Sequence, residues 1–154
     1  MNLPFVLTMF AVADAFKGAG VQIMNENNVL LVQNLKSGNW GFPKGHREPI
    51  DKTWRDTAVR EVEEETGFKE NKDYVICSNT PDLWGKRPYW TATALRTGPL
   101  RMNISEHRAI RWIPVHLLKQ YDLNYDLSYW YLQGAPVKCS SKSIDLTSPP
   151  QAWN

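Results

Sequence analysis

Between Trp40 and Phe68 the chain reads WGFPKGHREPIDKTWRDTAVREVEEETGF, which sets Glu61, Glu63, Glu64 and Glu65 beside Arg60 and behind a glycine-bearing loop. Like charges this dense repel one another unless something positive compensates them. On a helix, at about 100° per residue, Glu61, Glu64 and Glu65 share one face while Glu63 points elsewhere. Three carboxylates on one face offer the hard oxygen ligands that Mg²⁺ or Mn²⁺ requires. A solvated acidic face is the other reading of such a run. That reading asks for neither the Gly-Phe-Pro-Lys-Gly loop ahead of the run nor the glycine behind it.

The elements that must position these acids follow from the surrounding residues. A helix is expected to start near Thr53, whose hydroxyl can cap it while Asp56 closes a capping box, and to stop at Gly67. Ala58 and Val62, with Val59 beside them, give it a core-facing stripe next to the carboxylate face. Upstream, Val21 to Met24 and Val29 to Val32 flank the turn residues Asn25 to Asn28 and read as a hairpin. Trp40 to Pro49 reads as loop. Tyr74 to Ile76, Tyr89 to Leu95 and Ala109 to Ile113 have strand composition. Pro114 introduces an expected second helix over Val115 to Tyr121, which Tyr125 to Leu132 extends or adds to.

The second half of a known pattern runs without a gap through Arg60, Glu61, Val62, Glu63, Glu64, Glu65, Thr66, Gly67 and Phe68, with Gly45 standing at its front. On these residues the chain resembles the Nudix hydrolases. Its first half departs by one inserted residue, and the place of the first glutamate falls to Asp51 or, on the other count, Lys52. The resemblance implies an α/β class and the Nudix fold, an α/β/α sandwich around a mixed sheet, over roughly residues 17–132. Residues 1–16 are then an N-terminal arm, and 133–154, with prolines, serines and no periodicity, read from composition as a flexible C-terminal tail.

The resemblance further implies that Glu61, Glu64, Glu65 and the backbone carbonyl of Gly45 hold the metal. Arg60 joins the catalytic set as the residue that Asp51 anchors. Glu106, just ahead of the Ala109 to Ile113 strand, is the candidate for an extra ligand or general base, and the base is left open between it and Glu65. Bound metal neutralises phosphate oxygens and acidifies its water, which is the chemistry of phosphoanhydride hydrolysis. Lys44 and His46 in the loop are candidates to bind substrate phosphate. Trp84, Lys86, Arg87 and Trp90 interleave rings with cations and are candidates to stack a base and hold its phosphates. His107 and His116 read as surface or helix histidines.

The segment GFPKGHREP resembles the loop of diadenosine tetraphosphate hydrolases, and WGFPKG with REVEEETGF also resembles that of messenger-RNA decapping enzymes. A net charge of +2 over 154 residues makes no basic track. Dinucleoside polyphosphates are therefore the expected substrates, with the 5′ end of RNA as the alternative. A non-catalytic Nudix-like nucleotide-binding module is a further alternative, although such modules normally lose the glutamates kept here. No membrane partner is expected, since the apolar stretch Leu3 to Ala13 is too short to span a bilayer and reads as an edge strand or packed arm. Cys77 and Cys139 lack zinc-ligand spacing and read as free thiols of a reducing, cytoplasmic location.

Overall fold

The computed structural model describes residues 16–139. The expected N-terminal arm, but for Phe16, and the end of the expected tail lie outside those residues. The predicted hairpin is present as β1 (Ala19–Asn25) and β2 (Asn28–Asn34), paired antiparallel through Met24 with Val29 and Asn25 with Asn28. Beyond that short pairing the two strands separate. The first residues of β1 pair instead with β4 (Lys44–Gly45), and the last of β2 with β3 (Trp40–Gly41). The other edge of β1 runs parallel to β7 (Arg87–Ala94), from Gly20 opposite Tyr89 to Met24 opposite Thr93. With β5 (Tyr74–Ile76), β6 (Asp82–Trp84) and β8 (His107–Pro114) these make an eight-stranded mixed sheet.

Both faces of this sheet are covered, which is why β1 is buried along almost its whole length. Successive residues of a strand point to opposite faces. Val21, Ile23, Leu30 and Trp90 accordingly enter one core with Ala58 and Val62 of α1 (Trp54–Thr66). Met24, Leu31 and Tyr89 enter the other with Leu127 and Trp130 of α2 (Tyr125–Leu132). The expected α/β/α sandwich is therefore what the chain forms.

Helix α1 has the ends that its sequence predicts. The Asp56 amide donates to Thr53 Oγ1 at 3.0 Å and the Thr53 amide to Asp56 Oδ2 at 3.1 Å. Gly67 ends the helix at φ 78°, a left-handed conformation that glycine adopts without steric cost. The second expected helix is different: Val115–Gln120 forms a six-residue 3-10 helix. Pro114 brings no capping oxygen, and only Leu118 of the segment is buried. Tyr125–Leu132 is a separate helix, capped by Asn124.

The cysteines correct the sequence reading. Cys77 and Cys139, 62 residues apart, form a disulfide. Cys77 continues β5, its amide donating to Thr91 O at 2.8 Å. Residues 133–139, counted with the tail on composition, return across the domain to meet it. Pro136 O accepts from Trp130 Nε1 at 2.9 Å and from Gln22 Nε2 at 3.4 Å, and Lys138 pairs with Asp82 at 2.6 Å. The cytoplasmic expectation had leaned on free thiols and loses that support. No described helix is long and apolar enough to cross a membrane. Reduction is expected to lower stability by about 2 kcal/mol, read as a lower urea midpoint with dithiothreitol than without; identical midpoints and two titratable thiols before reduction would refute the bridge.

Candidate active site

Strand β4 is the floor on which the acids are set. Because Ala19 pairs with Gly45 and Gly20 with Lys44, and the Val21 amide donates to Pro43 O at 3.2 Å, the loop before α1 is held to the central strand by its main chain. Glu61 and Glu65, one helical turn apart, both face that strand and are buried. Glu65 Oε2 accepts the Lys44 amide at 3.1 Å. The Glu61 carboxylate lies where a side chain on Gly45 would have to be, so only glycine permits the approach. Glu64 is on the same side but exposed.

Arg60 organises the cluster. Its Nη2 meets Asp51 Oδ2 at 2.8 Å and its Nε meets Oδ1 at 3.0 Å, a bidentate pair. Its Nη1 reaches Glu61 and Glu64 at 3.0 Å each, and Nη2 also donates to His46 O at 2.8 Å. Glu48 is a more distant partner at 3.5 Å. Asp51, buried, also accepts from Thr57 Oγ1 and the Glu48 amide at 2.9 Å. The Arg60 hydrogen bonds hold the Asp51 carboxyl well below the usual carboxylate range. Of the two counts for the first acidic position, Asp51 is thus the one that meets the arginine, and the shorter side chain still reaches it.

The opposite wall comes from the start of β8. Glu65, Glu106 and His107 bring one ligand atom each to within 4.8 Å of one another. His107 corrects its sequence reading: it is buried, with Nε2 3.7 Å from Glu65 Oε1. Burial lowers its pKa and favours the neutral ring. Its place beside Glu106 at the head of a strand was the available signal. Burial, opposed in part by the Lys44 amide, pushes the Glu65 carboxyl well up, and burial raises Glu61 as well.

Between these walls lies a cleft of about 490 Å³, also lined by Lys44, His46 and Arg87. Lys44 is half-buried, and burial followed by the nearby Arg87 lowers its pKa. Arg87 is steadied by a 3.0 Å pair with Asp126, a buried residue that the sequence did not single out. His46 stands at the exposed rim, its Nδ1 2.7 Å from Lys17 O. Lys86 does not line the cleft; its Nζ lies 5.1 Å from the centre of the Tyr125 ring. Trp84 and Trp90 are not stacking platforms, because strand alternation buries Trp84 in the core beneath α2 and Trp90 in the core beneath α1.

The donor set fits a hard divalent cation. Glu61, Glu64 and Glu65 bring only oxygen, and two of the three are buried carboxylates, Glu61 met by Arg60 and Glu65 by the Lys44 amide, with the Lys44 ammonium nearby. Magnesium and manganese are the ions such ligands suit.

The NUDIX domain model matches residues 15–133. The chain belongs to the Nudix family. It is similar to the peroxisomal coenzyme A diphosphatase ndx-8 of Caenorhabditis elegans, 37% identical over 79 residues, covering 48% of this chain and 34% of that protein. It is also similar to the mRNA-decapping enzyme subunit 2 of Saccharomyces cerevisiae, 43% identical over 58 residues, covering 36% of this chain and 6% of that one. The chain thus spans about a third of the first relative's length and 6% of the second's. Among solved structures, a C. elegans Ap4A hydrolase binary complex superposes with a TM-score of 0.64 at 21% identity, over 77% of this chain and 96% of that one. The NUDIX domain of Shewanella oneidensis NrtR, in complex with ADP ribose, gives 0.58 at 20% identity, over 88% and 97%. These likenesses establish the shared fold.

Proposed function

We propose that this protein is a divalent-cation-dependent phosphoanhydride hydrolase that splits the diphosphate linkage of a nucleoside diphosphate joined to a further group, with dinucleoside polyphosphates as the leading substrates. One observation carries the reading: buried Glu61 and Glu65 dock on the Lys44–Gly45 backbone in the same cleft that receives Lys44 and Arg87. Carboxylates that call for a cation thus stand beside cations that call for a phosphate. Mg²⁺ or Mn²⁺ held by Glu61, Glu64, Glu65 and the Gly45 carbonyl would supply charge neutralisation on phosphate oxygens and a water of lowered pKa.

The chain's own groups divide the remaining work. Lys44 and Arg87, which line the cleft together, bind phosphate oxygens. Arg60 holds Glu61, Glu64 and the His46 carbonyl in place and is a positioning residue. Glu65 and Glu106 are the carboxylates placed to accept the proton of the attacking water. Lys44→Met leaves the backbone pairing of β4 untouched and should raise KM about tenfold or more, the loss of one charge-assisted hydrogen bond. An unchanged KM would remove Lys44 from the phosphate site.

The decapping relative supports a second reading, hydrolysis at the 5′ end of RNA. The placement of Lys86 on Tyr125, away from the cleft, favours the compact substrate. The test is an assay of the purified protein against diadenosine and diguanosine tetraphosphates, ADP-ribose, coenzyme A and capped RNA, with Mg²⁺ and with chelator. Metal-dependent hydrolysis of the dinucleotides is expected. Cleavage of capped RNA alone, weakening steeply with salt, would promote the second reading, and no hydrolysis of any substrate would leave a binding module.

A further inference from the structure

A second cavity, of about 300 Å³, shares Asn34, Lys44, Glu65 and His107 with the cleft and extends from it to Gly41, Phe42 and Asn124. Ligand pockets commonly measure about 300–1,000 Å³, so this one suits a single ring system. Buried Val32 and Phe42 give it apolar walls, and three side-chain amides, Asn34, Asn39 and Asn124, give it polar ones. The orientation of two of these amides is fixed by main-chain donors. Asn34 Oδ1 accepts the amides of Lys36 and Ser37 at 2.9 Å each. Asn124 Oδ1 accepts the Leu127 amide at 2.9 Å in capping α2.

With both oxygens committed, the Nδ2 groups of Asn34 and Asn124 hold no hydrogen-bond partner among the described residues. Asn124 is also pressed over the main chain of β3, since any side chain on Gly41 would occupy the space of its Nδ2. The cavity therefore presents two oriented donors, exposed Asn34 where it joins the cleft and half-buried Asn124 at its other end. Guanine carries O6 and N7 as neighbouring acceptors on one edge, whereas adenine sets its N6 amine, a donor, beside N7. We propose that this cavity reads the guanine base of a guanosine-containing substrate, with Asn34 and Asn124 donating from Nδ2. The inference rests on the hydrolase reading for the site it adjoins. It adds that the leading substrates carry guanine in preference to adenine.

The test reads binding, without turnover, by calorimetric titration of the full chain with GDP, ADP and 7-deaza-GDP in Mg²⁺. GDP should bind at least about tenfold tighter than ADP, and removal of N7 in 7-deaza-GDP should erase most of that margin. Asn34→Asp and Asn124→Asp keep the oxygen that each turn or cap uses and replace the donor by an acceptor. Each should keep its melting temperature while the GDP-to-ADP affinity ratio falls to about threefold or less. Equal affinity for GDP and ADP in the wild type, or a ratio unchanged in both variants, would overturn the proposal. Equal hydrolysis of diadenosine and diguanosine tetraphosphates would also sink it while leaving the hydrolase reading intact. Tight GDP binding without hydrolysis of any substrate would sink the hydrolase reading alone.

Discussion

Glu65→Gln is expected to lower kcat by at least about 100-fold, the scale of losing a charged group from a metal-centred electrostatic site. The amide keeps the length of the side chain and an oxygen for the Lys44 amide, so the fold should survive. A structural role would predict the opposite pattern. Burial already raises the Glu65 pKa in the folded chain, which means that its charged form weakens the metal-free fold at neutral pH. Neutralising it should leave the melting temperature of the metal-free protein unchanged or slightly higher, an exchange of activity for stability. Hydrolysis at the wild-type rate in this variant would remove Glu65 from the catalytic site.

Asp51→Asn should act in the reverse sense, through stability. The substitution leaves Arg60 with Glu61, Glu64 and the His46 carbonyl but without its bidentate partner, and losing such a charge-assisted pair costs about 2 kcal/mol or more. The pH dependence gives a second check. Arg60 lowers the folded pKa of Asp51, so the pair's contribution is fully present above the unfolded value of about 4 and is lost as pH falls toward the depressed folded value. Chemical denaturation from pH 7 to 3 should show a constant gap between wild type and variant down to about pH 5, narrowing below about pH 4. A gap that stays constant to pH 3, or is absent at pH 7, would show that Asp51 is not the anchor.

What was legible in the sequence was local. Thr53, Asp56 and Gly67 announce both ends of α1 because capping chemistry depends on residues a few positions apart, and the spacing of Arg60, Glu61, Glu64 and Glu65 places the acids on one face. The reach of Asp51 to Arg60 was likewise a matter of nine residues. Partners chosen over long distances were not legible. Trp84 and Trp90 flank a basic loop and suggest a stacking platform, but the burial of each ring is decided by what covers the two sheet faces. His107 meets Glu65 only once β8 is laid against β2, and Cys139 meets Cys77 only after the chain has come back past α2. Asp126 and Asn124 were passed over for the same reason, since an ordinary helix start does not reveal what stands opposite it.

The stitching of Lys44 and Gly45 into the central strand bears on when the site comes into being. Its backbone belongs to a pairing between residues about 25 apart, and β1 is in turn paired with β7, some 70 residues downstream. Contacts of such sequence separation close late, after the loop entropy between them has been paid. A nascent or partly opened chain could hold α1 with every glutamate in helical register and still have no floor for them to face. Competence for chemistry thus arrives with the last strand pairings, and a local opening of β1 would extinguish it without unwinding the helix.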